Sequence, residues 1–145
     1  MQTTSSNRSH PSEKMSIERK QAYRAKRLIW MELRLKLLRK HTQEQQACCE
    51  LGRTERLVLK DTHLEERSRF YEHPNDKPLN WFALLVRQSM ELTELSQTNQ
   101  LNRRKLLIKQ TEEEERLEEL IAFQEQLYES CQKALSTKLT CNKTQ

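Results

Sequence analysis

The sequence predicts an all-α protein: two long, coiled-coil-like helical arms joined by a short proline-containing linker, elongated and with little independent core. Three observations lead there. The chain of 145 residues holds one glycine and three prolines, whereas strand and α/β folds need both residues at their turns. The remainder is rich in Leu, Glu, Lys, Arg and Gln, the straight-chain helix formers. Only 34% of residues are hydrophobic and 32% are charged, against roughly 45–50% and about 25% in an average domain. Ordering each residue costs roughly 1–2 kcal/mol of backbone entropy. So little apolar area offsets that cost only through helix pairing, self-association or a partner surface.

The elements follow from the punctuation. Residues 1–11 are polar, end in His10-Pro11 and are expected to form a disordered tail. No proline interrupts residues 12–72, a basic helical region. A break is possible near 42–54: Thr42 and Gln45 have capping-box spacing, and Gly52 suits a helix end. Segments near 13–40 and 43–72 are expected, separate or fused. The breakers His73-Pro-Asn-Asp-Lys-Pro78 make residues 73–79 a linker. Asn80 is a good N-cap, with Leu79 placed to staple onto Leu84. A helix over residues 80–139 would then run roughly 90 Å at 1.5 Å per residue, ending in a frayed tail over 140–145. A seven-residue row along it, Leu85, Leu92, Asn99, Leu106, Glu113, Leu120, Leu127 and Ala134, marks the five leucines as candidate seam residues. Asn99 and Glu113 interrupt the row, which leaves self-pairing and a changing partner surface both open.

Charge is segregated. Between Arg8 and Lys40 there are 11 Lys/Arg against 3 Glu, a balance of +8; between Gln110 and Glu129 there are 8 Glu against 1 Arg, or −7. The basic half therefore favours an acidic partner. Candidate partner-binding residues there are Arg19, Lys20, Arg24, Lys26, Arg27, Arg34 and Lys36, with Trp30, Tyr71, Trp81 and Phe82 as aromatic anchors. Packing within the chain is the competing reading for each aromatic, and simple solvation of a helix face for the charges. No nucleic-acid-binding module or zinc-finger spacing is present, which disfavours nucleic acid. Leu28 to Leu38 is apolar around most of its circumference, so enclosure by protein suits it better than a membrane surface.

No catalytic constellation is found, and no cofactor or metal is expected. One glycine cannot build a phosphate loop. His10, His41, His63 and His73 are scattered, and adjacent Cys48 and Cys49 lack the spacing of a zinc pair. The run Glu112 to Glu115 spreads around a helix and reads as a solvated charge run. The N-terminal stretch has no apolar signal core, and the longest apolar run, Trp81 to Val86, is far short of the roughly 20 residues that span a bilayer. The four cysteines are expected as reduced thiols in a cytoplasmic setting.

Asn80-Trp-Phe-Ala-Leu-Leu85 opening a long helix, with Lys105-Leu-Leu-Ile-Lys-Gln110 and Phe123-Gln-Glu-Gln-Leu127 beyond it, resembles the small helical proteins inside axonemal doublet microtubules. The resemblance is to the microtubule inner proteins of the cilia- and flagella-associated protein 141 family. It covers roughly residues 78–135, with Trp81 where that family has proline. It implies a non-catalytic structural protein of the cilium or flagellum axoneme, on tubulin and among other axonemal proteins. The competing expectation is a coiled-coil adaptor of cytoplasm or centrosome that self-associates through the C-terminal helix. A basic helical nucleic-acid binder is the third.

Overall fold

A computed structural model describes residues 11–72 and 78–142. They form two α-helices, α1 (Pro11–Glu72, 62 residues) and α2 (Pro78–Cys141, 64 residues), and no strand occurs among them. The all-α expectation holds. The tail over 1–10, the segment 73–77 and the last three residues lie outside the described residues.

Both helices open on proline. A first-turn residue has no intrahelical use for its N–H, and proline's fixed φ is already helical. Helix α2 therefore starts two residues before the expected Asn80. Leu79 is consequently helical and 76% exposed, not a staple outside the helix. At the other end α2 reaches Cys141, and the N–H of Asn142 still bonds the carbonyl of Lys138 at 3.3 Å.

The break contemplated near 42–54 does not form; α1 is continuous through it. The polar stretch after His41 is held by bonds to α2, described below. Gly52 has no positive φ and is not a cap. Its missing side chain makes room for Asn99: a Cβ there would lie 3.1 Å from Asn99 Nδ2.

The chain divides into two compact units, each containing a stretch of both helices. In the unit Arg39–Leu120, α1 and α2 run antiparallel, as Gln45–Gln110 and Arg67–Gln88 contacts show. The other unit joins residues 11–38 of α1 to 121–142 of α2. There too the pairing is antiparallel, with Tyr23 stacked on Tyr128 at 5.9 Å and Trp30 bonded to Gln124.

Within Arg39–Leu120 the seam has an eleven-residue period. The positions turned toward the partner helix in α1 are His41, Glu44, Cys48 and Gly52, resuming at Leu59, His63, Glu66 and Phe70. These steps of three, four and four correspond to about 3.67 residues per turn, close to the natural 3.6, whereas a heptad requires 3.5. The heptad leucine row therefore crosses the seam obliquely. Leu85, Leu92, Asn99, Leu106 and Glu113 are half-buried, with Asn99 over Gly52 at the centre. A seven-residue row drifts sideways by roughly 20° per repeat on a straight helix. By Leu120 it has left the intramolecular seam; Leu120 and Leu127 are 50% and 51% exposed, and Ile121 is buried instead.

Candidate functional site

The most deeply buried side chains of the seam are mostly polar. Among the described residues the buried apolar side chains are Trp30 and Ile121, and the buried polar ones are His41, His63, Gln88 and Gln110. The four polar residues belong to two copies of one arrangement, separated by 22 residues in each helix.

In the first copy Gln110 Nε2 donates to the His41 carbonyl (3.1 Å) and to a Glu44 carboxylate oxygen (3.2 Å), while its Oε1 accepts from Gln45 at 2.7 Å. In the second copy Gln88 Nε2 donates to the His63 carbonyl (3.1 Å) and to Glu66 (2.9 Å), and its Oε1 accepts from Arg67 at 2.7 Å. The flanks repeat as well. Lys109 reaches Glu44 at 3.5 Å and Arg87 reaches Glu66 at 2.9 Å. Glu113 meets the His41 ring at 2.9 Å and Glu91 meets the His63 ring at 2.6 Å. Midway between the two copies lies the small pair, Gly52 against Asn99.

The sequence carries this duplication in plain form. His41-Thr-Gln-Glu44-Gln45 recurs as His63-Leu-Glu-Glu66-Arg67, and Arg87-Gln88-Ser-Met-Glu91 recurs as Lys109-Gln110-Thr-Glu-Glu113. Stepping forward along α1 is matched by stepping back along α2, as antiparallel pairing requires. A glutamine with a carbonyl, a carboxylate and a donor all in reach is satisfied in only one register. Sliding the helices by one turn would bury its amide with no partner, at a cost of roughly 1–3 kcal/mol. These layers specify register more than they add stability.

Electrostatics sharpen the first copy. His41 is buried, with Nε2 at 2.9 Å from Glu113 and Nδ1 at 3.1 Å from Glu114. Lys40 bonds Glu113 at 3.0 Å. The His41 hydrogen bond first, and then that of Lys40, hold the Glu113 carboxyl down at about 2. The Gln110 amide lowers Glu44, the Gln88 amide lowers Glu66, and the bond to Glu113 raises Lys40. One ligand atom each from His41, Glu44 and Glu113 lies within 4.8 Å of the others, a spacing a metal ion could bridge. Lys40 and Lys109 already contact both carboxylates, so positive charge is supplied there by the chain itself. The run Glu112 to Glu115 is thus only partly solvated, since its two central members grip His41.

The residues singled out from sequence fall into four groups. Trp30 is 4% exposed and its Nε1 donates to Gln124 at 3.1 Å, so it anchors the two helices to each other. The carbonyl of Arg19 accepts from Tyr128 at 3.4 Å, Lys26 sits 4.4 Å over the Tyr128 ring, and Arg27 stands 6.0 Å from the Tyr23 ring. Tyr71 and Trp81 meet at 5.1 Å, with Phe70 at 5.2 Å from Trp81 on its other contact. The remaining candidates face outward: Lys20, Arg24, Arg34 and Lys36 are exposed, and Phe82 is 66% exposed. Phe82 leads an apolar ridge with Val86 and Met90 over a shallow depression on α2. No helix among the described residues is long and apolar enough to cross a membrane.

Comparisons with protein-family models, with curated proteins and with solved structures gave no match.

Proposed function

We propose that the protein is a non-catalytic structural component that binds along an assembled protein lattice, the ciliary or flagellar microtubule, as a microtubule inner protein. The observation that carries this reading is that the most deeply buried side chains between the helices are largely polar while many large apolar ones stay exposed. The helices bury glutamine and histidine among half-buried leucines and leave further large apolar side chains outside. Leu28, Ile29 and Met31 on α1, and Phe82, Met90 and Ile108 on α2, are all more than half exposed. Exposed apolar surface such as the Phe82, Val86 and Met90 ridge suits a contact site, and in this reading a second protein surface supplies the burial that the chain lacks.

Three further points support the reading. The buried ionisable side chains among the described residues, His41 and His63, are bound to carboxylates within the seam. The basic residues left exposed on α1 suit the acidic surface of tubulin. The resemblance of residues 78–135 to microtubule inner proteins points to the same partner. The experiment is to locate a tagged chain in ciliated cells and to extract isolated axonemes with detergent and then high salt. Retention with the doublets after salt supports an enclosed lattice site. Absence from axonemes, or release in mild salt, ends the ciliary reading.

Exposure of Leu120, Phe123 and Leu127 on α2 favours a second reading, a coiled-coil adaptor that packs this flank on another helix. In that case charge substitutions at Leu120 and Leu127 abolish a self-association that sedimentation detects, and axonemes are irrelevant.

A further inference from the structure

Cations and carboxylates are distributed unequally on the two sides of the seam in Arg39–Leu120. On one side Lys40, Arg87 and Lys109 each contact a glutamate. On the other, beside the Gly52–Asn99 pair, Arg53, Arg56 and Arg103 line a notch of about 420 Å³. None of the three makes an ion pair or a side-chain hydrogen bond among the described residues. Among the described residues no carboxylate lines the notch. Ser96, Asn99 and Gln100 add polar groups around an apolar floor of Leu92 and Leu95.

We infer that this notch is a binding site for an acidic peptide segment of a partner protein, whose carboxylates pair with Arg53, Arg56 and Arg103. Guanidinium forks match carboxylates in bidentate geometry. The three arginines are exposed, and a single exposed pair contributes only about 0–1 kcal/mol. An isolated small anion therefore gains little, while a string of carboxylates engages all three. The α2 side of the notch runs from Leu92 to Arg103, roughly 16 Å at the helical rise, long enough for several residues of extended chain. Single-stranded nucleic acid would find the charge but no aromatic face to stack on, because no aromatic residue among the described residues lines the notch. The site does not depend on an axonemal location: an acidic segment of any protein partner would fill it.

The test is fluorescence anisotropy of a fluorescein-labelled peptide of ten glutamates titrated with the full chain at low salt. Saturable binding is expected. The triple variant Arg53→Gln/Arg56→Gln/Arg103→Gln should weaken it about tenfold or more, and the charge-matched control Lys105→Gln/Lys133→Gln/Lys138→Gln by less than about twofold. Ser96→Glu, which places a carboxylate at the notch, should weaken binding as the triple variant does, whereas Thr98→Glu should not. Circular dichroism checks that all variants keep their helix content. Equal losses in the triple variant and its control overturn the proposal. So does tighter, triple-sensitive binding of pyrophosphate or of a uridine decamer, which would make the site one for phosphate or nucleic acid.

Discussion

The two units join the same pair of helices with a different balance of chemistry. In Arg39–Leu120 the helices are fastened by two duplicated layers of glutamine, histidine and glutamate around a glycine, with Phe70, Tyr71 and Trp81 in ring contact toward the helix ends. In the other unit they are fastened by rings: Trp30 is buried, Tyr23 stacks on Tyr128, and Lys26 covers the tyrosine face. Polar layers select a register because each has one satisfying arrangement, while aromatic contacts contribute more area and tolerate small slips. The eleven-residue interval nevertheless continues in the sequence from one chemistry to the other, since Trp30, His41, Gly52 and His63 are evenly spaced, as are Gln88, Asn99, Gln110 and Ile121.

The largest expected effect lies in the aromatic unit. Trp30→Ala should cost about 3–5 kcal/mol in urea unfolding followed by circular dichroism; a loss below about 1 kcal/mol would mean that the ring is not a structural anchor. Next come the glutamines. Gln88→Leu and Gln110→Leu should each cost about 2–3 kcal/mol, because a carboxylate and a cross-helix donor lose their partner. The duplication predicts similar costs for the two. It also predicts that the double variant is additive within about 0.5 kcal/mol, since the layers are roughly 33 Å apart along the helix. Marked non-additivity would break the view that the layers act separately.

Acid should separate the units in a different way. A carboxyl depressed in the folded chain contributes stability that is present above its ordinary value and lost as pH falls toward its folded value. For Glu113 that window runs from 4.5 down to about 2, and Glu44 and Glu66 are shifted in the same direction. Each unit holds one tryptophan, Trp30 or Trp81. In single-tryptophan chains (Trp30→Phe or Trp81→Phe), the emission of Trp81 should change within this window before that of Trp30. Simultaneous changes would mean that the two units unfold as one.

The smallest effect is at the glycine. Gly52→Ala should stabilise the chain by about 0.5–1 kcal/mol through helix propensity. The nearest atoms to the new Cβ belong to the Asn99 side chain, with Nδ2 at 3.1 Å and Cγ at 3.3 Å; that side chain makes no hydrogen bond among the described residues and has to turn aside by a few tenths of an ångström. A loss of stability would show that the pair at the centre of the ladder is already close-packed.

How much of this was readable in advance depends on the residue. Helix content and the lack of a large core follow from the scarcity of glycine and proline and from the low apolar fraction. The seam does not, because a heptad of leucines is the conspicuous pattern in α2. The period of the seam is eleven and its markers are polar, so the heptad makes Leu120 and Leu127 read as internal and His41 and His63 as scattered. The repeated His-x-x-Glu and Gln-x-x-Glu pieces are a signal that could have revealed it. Gly52 was equally ambiguous: helix end and close approach are both uses of a missing Cβ, and only the position of Asn99 decides between them.

The claim on which the account rests is that apolar residues outside the seam, and not within it, meet the partner. Its most direct test compares axonemes from ciliated cells expressing the tagged wild-type chain with axonemes from cells expressing Phe82→Ser/Val86→Ser/Met90→Ser. The account predicts that the wild-type chain stays with the doublets through high-salt extraction, while the triple variant keeps its helix content in solution but is lost from them. Equal retention of the variant, or a wild-type chain that never enters the axoneme, would contradict it.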